Sequence, residues 1–152
     1  MKKLIVLMLV VAAAAFANAA SFKWSAANIY ASNGTDKFSG TATLYCSQLS
    51  DWSTTADVNS GVIKATDATF SSDKFTVGQN YDFYFVITDN GKSFTSPTVT
   101  KGALDAQTQS IGFNNMATAT QNASNWGAVP EPTSAMLLVM GLAGLALKRK
   151  RV

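Results

Sequence analysis

Aromatic side chains are the residues in this chain with the most chemistry to offer. Trp24, Trp52 and Trp126, with Tyr30, Tyr45, Tyr81 and Tyr84, are enough to build a stacking platform for sugar rings. The flat C–H face of a pyranose suits an indole face, and neighbouring Asp, Asn and Gln bind its hydroxyls. The same residues equally fill a protein core. Trp24, Phe83 and Phe85 sit in strand-like runs and suit a core, whereas Trp52 lies in the polar, loop-like Ser50-Asp51-Trp52-Ser53. Trp52 is therefore the candidate glycan contact.

Other chemistries have little support. Histidine is absent, which removes the commonest general base, the usual metal ligand and any Ser-His or Cys-His nucleophile pair. The acids of the central region are scattered aspartates, with Asp36, Asp73 and Asp89 in turn-like settings that suit capping of backbone amides. Hydrolysis by paired carboxylates needs two acids about 5–10 Å apart in a cleft, and no pair stands out. No Asp-x-Asp-x-Asp run offers a calcium loop. The expectation is a non-enzymatic protein without metal or cofactor. Cys46 is the only cysteine, so an intrachain disulfide is impossible. In Leu44-Tyr45-Cys46 it reads as a small buried hydrophobe, the alternative being a reactive thiol or an intermolecular bridge.

The net charge of +3 divides unevenly along the chain. Lys2 and Lys3 lie at one end, and Lys148, Arg149, Lys150 and Arg151 at the other. Between Ala20 and Val129, six lysines against eight aspartates leave −2. A mildly acidic body has no basic surface for neutralising phosphates, so nucleic acid is not an expected partner.

The elements that position these residues are short strands. Residues 20–129 are rich in Ser and Thr and show no long helical period. Phe22–Ala26 alternates, Thr41–Cys46 is strand-like, and Gly61–Ala65 and Lys74–Val77 are weaker strand candidates. Tyr81–Thr88 is the strongest strand, aromatic and β-branched throughout, and its unbroken apolar character suggests burial on both faces. Asn90-Gly91 predicts a type I′ hairpin turn. Ser93–Ser96 then returns, Pro97 marks a strand end, and Thr98–Thr100 follows. Turns every ten residues or so predict an all-β fold, a small β-sandwich ectodomain over 20–105. Residues 106–129 read as a last strand around Ser110–Phe113 followed by a polar, flexible stalk.

Both ends carry targeting signals. Residues 1–19 combine Lys2 and Lys3, an apolar run Leu4–Phe16, and Ala17-Asn18-Ala19. This is the n-region, h-region and small-x-small site of a signal peptide, with signal peptidase cutting after Ala19. Residues 130–152 begin with Pro130-Glu131-Pro132, whose prolines disfavour helix. An apolar helix over 135–147 follows, hydrophobic all round. Its 13 residues reach roughly 20 Å, short of a bilayer core of about 30 Å. Such a transmembrane helix inserts by snorkelling and local thinning. The cluster Lys148, Arg149, Lys150 and Arg151 then holds the C-terminus in the cytoplasm.

Pro-Glu-Pro, a short apolar helix and a terminal basic cluster, in that order, resemble the PEP-CTERM sorting signal. The resemblance implies handling by an exosortase-type membrane transpeptidase in a Gram-negative-type bacterium. It implies an exported protein, anchored in the inner membrane before processing and delivered to the cell surface or extracellular matrix. The expected role is structural or interactive there. The alternative is a surface-delivered carbohydrate-binding module, with extracellular polysaccharide as the ligand.

Overall fold

In the strand Asn80–Asp89 every second side chain from Tyr81 to Ile87 is buried, and this alternation organises the domain. The computed structural model describes residues 19–105 and 107–129. They form strands β1 (Ala20–Ala26), β2 (Gly40–Cys46), β3 (Leu49–Val58), β4 (Thr69–Ser72) and β5 (Asn80–Asp89). Strands β6 (Lys92–Thr95), β7 (Val99–Gly102) and β8 (Thr108–Phe113) follow. Helix α1 (Met116–Gln121), a 3₁₀ turn at Ala123–Asn125 and β9 (Trp126–Ala128) complete it. The all-β expectation holds, in two sheets.

One sheet has the order β4-β1-β8, with β1 and β8 parallel. The other runs β3-β2-β5-β6-β9, and β7 pairs with the first part of β5. Inward aromatic rings join the two sheets. Phe22 of β1 lies 5.2 Å from Phe83 of β5, and Trp24 lies 5.8 Å from Phe85. Phe113 of β8 meets Phe85 edge-on at 4.9 Å. Tilted and edge-to-face rings at these separations add favourable quadrupole contacts to the hydrophobic gain. Trp24, Phe83 and Phe85 are fully buried, as their strand-like context predicts.

The β5–β6 hairpin follows from its turn residues. Asn90 has φ 49° and Gly91 φ 72°, the two positive values that a type I′ turn demands. The return strand then breaks. Val86 faces Thr95 and Phe83 faces Val99, so the return carries one extra residue around Ser96-Pro97.

Four expectations change. Gly61–Ala65 forms only isolated bridges, such as Ala26 to Ile63. Phe75 is buried, but Lys74–Val77 lies outside every strand, because it caps the aromatic cluster from a loop. Strand β5 is fully buried on one face only; Asp82, Tyr84 and Val86 on the other are half-buried, since no second layer of the described residues covers that side. The stalk expected in 106–129 is instead folded. Met116 and Thr120 of α1 and Trp126 of β9 are buried, and β9 adds to the large sheet beside β6. Gly34 permits this docking, because its φ of +73° is left-handed and a Cβ there would lie 2.9 Å from the Gln121 carbonyl.

Apart from Ala19, which is exposed, the signal segment 1–19 lies outside the described residues, as do the sorting signal and its helix at 130–152. Among the described residues no helix is long and apolar enough to cross a membrane.

Candidate functional site

Trp52 lies within β3, not in a loop. The sequence around it conceals a strand because its inward positions are only Trp52, Thr54, Ala56 and Val58. Its ring is 4.9 Å from Phe70, 5.0 Å from Phe75 and 6.1 Å from Phe83. Trp52 thus closes one end of the core, half-buried. An indole engaged by three other rings has little face left for a sugar. Trp126 is buried too, with its ring nitrogen donating to the Thr120 carbonyl at 2.8 Å.

An open aromatic surface lies on the outer face of β2 and β5. Tyr45 and Tyr84 are direct cross-strand partners. Their rings stack at 5.5 Å and 20°, both half-buried. Beside them lies a polar hub. Asp82 shares the outward face of β5 with Tyr84, two residues on. Its carboxylate accepts from Gln48 Nε2 at 2.9 Å and from Thr100 Oγ1 at 2.5 Å. Gln48 Oε1 accepts the Asp82 amide at 2.9 Å, which closes a two-way pairing between the β2–β3 turn and β5. The hub fixes its side chains in place and presents carboxylate, amide and hydroxyl next to two rings. In the sequence Tyr45 and Tyr84 are both candidates, but nothing local pairs them. The spacing of Asp82 and Tyr84 was the available signal, but their partners come from elsewhere in the chain.

Of the turn aspartates, Asp36 accepts from Asn33 Nδ2 at 2.7 Å. Asp89 accepts from the Ser32 hydroxyl at 2.7 Å and the Ser32 amide at 2.8 Å, tying the 29–38 loop to the end of β5. These two bonds hold its carboxyl below the usual carboxylate range. Asp51 is lowered likewise, by its bond to the Lys74 ammonium and by that charge. Cys46 is buried, and desolvation pushes its thiol up. That is the environment of an inert thiol. Among the described residues no group of three or more Cys, Asp or Glu is placed to hold a metal.

The tail end of the fold is well defined. Thr120 Oγ1 accepts the Tyr30 amide at 2.9 Å and donates to the Met116 carbonyl at 2.6 Å, while its carbonyl receives Trp126. The Val129 amide donates to Gly91 O at 3.0 Å. Pro130, Glu131, Pro132 and the cluster Lys148, Arg149, Lys150 and Arg151 lie beyond, outside the described residues, as does Ala17.

The last strand of this two-sheet β-domain ends at Ala128. Residues 128–151 match the family model of the PEP-CTERM protein-sorting motif. The chain thus carries the tail of an exported protein that is anchored at the membrane and then sorted by an exosortase. Searches of the curated proteins and of the solved structures gave no match.

Proposed function

We propose that the domain is a non-enzymatic structural and interaction module of the cell surface or exopolysaccharide matrix. A signal peptide cut after Ala19 exports it, and its tail sorts it. The observation that carries this reading is the sorting match at 128–151, which begins at the last residue of β9. Everything described upstream of the motif is one cargo domain. The test is fractionation of a host that has an exosortase. The parent should lose its tail and reach the surface or matrix. Changing Pro130, Glu131 and Pro132 to Ala should leave a slightly larger, membrane-held species. A variant processed and distributed like the parent would make the motif a chance match.

The second reading, a carbohydrate-binding module, is favoured by Tyr45 and Tyr84 beside the Asp82 hub. Aromatic rings and fixed hydrogen-bonding groups on one outward sheet face suit a polysaccharide strand lying on the sheet. Affinity electrophoresis in host exopolysaccharide tests it. Tyr45→Ala and Tyr84→Ala should lose retardation while keeping a cooperative melt, and unretarded parent protein would refute it.

A further inference from the structure

Strand β9 is where the fold and the sorting motif overlap. The match begins at Ala128, which is also the last residue of β9 and faces Lys92 across the ladder. The next amide, Val129, is bonded to Gly91. Pro130 therefore follows a hydrogen-bonded residue with no spacer. Trp126 is the main hold on the strand. It is 6% exposed, lies 5.7 Å from Phe94 and donates to Thr120.

An enzyme that reads an extended peptide takes up its backbone hydrogen-bonding groups over several residues. The amide of Val129 cannot serve the sheet and an enzyme together. Retreat toward the membrane is also limited. Five residues, Pro130 to Ser134, separate the fold from the apolar run. Even fully extended they reach about 18 Å. An enzyme working in that gap meets the folded domain. We infer that β9 must leave the sheet before the tail is processed, so that the strand is a strap over the start of its own sorting motif. The partner that displaces it is the membrane sorting enzyme; this rests on the sorting reading above. The architecture allows the release. Strand β9 has three residues and, among the described residues, is the edge strand of its sheet, and such short edge elements open locally without global unfolding.

A reversible staple tests the inference. Ser93 and Gly127 face each other across β6 and β9, and a Cβ added at Gly127 meets open space. The full chain carrying Ser93→Cys and Gly127→Cys is placed in membranes that contain the sorting enzyme. With the staple oxidised, tail removal should slow by roughly tenfold or more, and reductant should restore the parental rate. A flexible Gly/Ser spacer of about eight residues between Val129 and Pro130 should speed processing several-fold and make it independent of the staple. Equal rates for oxidised and reduced chains, or a spacer without effect, would overturn the strap. The Pro130, Glu131 and Pro132 to Ala variant separates the two ideas. If it is processed like the parent, the sorting reading falls and the strap with it. If it stays uncut while staple and spacer do nothing, the strap falls alone.

Discussion

The hydroxyl of Ser96 accepts the amide of Phe85 at 2.9 Å, while the amide of Ser96 donates to the carbonyl of Phe85 at the same distance. A side chain thus completes a sheet ladder at the point where the return strand bulges before Pro97, a residue with no amide hydrogen to give. Both Ser96 and Phe85 are buried, so no water is at hand to replace the bond.

Ser96→Ala should therefore leave the Phe85 amide unsatisfied in the interior. The expected loss is about 1–3 kcal/mol. Urea unfolding should show a lower midpoint with an unchanged slope, because the surface exposed on unfolding is the same. A midpoint equal to the parent's would mean that the ladder closes some other way.

Trp52→Ala removes a ring from the cluster with Phe70, Phe75 and Phe83. Because Trp52 is only half-buried, the loss should fall near the low end for large aromatic truncations, about 3 kcal/mol. Tyr84→Ala, on the outer face, should be milder, about 1 kcal/mol. Thermal melts of the two variants side by side check the order. A stable Trp52→Ala protein that selectively loses polysaccharide binding would reinstate Trp52 as a ligand contact.

The Asp89 carboxyl titrates below its ordinary range because of Ser32. A depressed carboxylate contributes stability that is present above the unfolded value near 3.9 and is lost as pH falls through the folded one. Ser32→Ala keeps the backbone bond and removes the hydroxyl, so it should cost about 1 kcal/mol at pH 7. The difference from the parent should shrink below about pH 4 as Asp89 protonates. Stability curves that stay parallel down to pH 2 would show that the carboxylate form is not what Ser32 holds.

Cys46 should react with thiol reagents only when the domain unfolds. It is 3% exposed, and burial disfavours its thiolate, the nucleophilic form. Labelling rates measured across urea concentrations should follow the unfolded fraction. Rapid labelling in native buffer would instead mark a thiol available for an intermolecular bridge.

Local signals in the sequence were sufficient for the features that depend on few residues. Asn90-Gly91 dictates its own turn, because positive φ at two successive positions is a property of those residues. Tyr81–Thr88 is a strand on composition alone, and the Pro-Glu-Pro tail is legible without any fold, in agreement with the match at 128–151. The tertiary structure decided what depends on distant partners. Ser50-Asp51-Trp52-Ser53 of β3 reads as polar loop, since Thr54 and Ala56 give the strand's inner face little hydrophobic signal until β2 and the rings of Phe70 and Phe75 supply one. Residues 116–128 read as a stalk because their anchors, Met116, Thr120 and Trp126, are isolated among polar residues. They become core only when Tyr30 and Phe94, far away in the chain, meet them. Tyr45 and Tyr84 come together for the same reason. Pairing across strands is a long-range choice, made by whichever register buries the most apolar surface and satisfies the backbone, and no local window contains it.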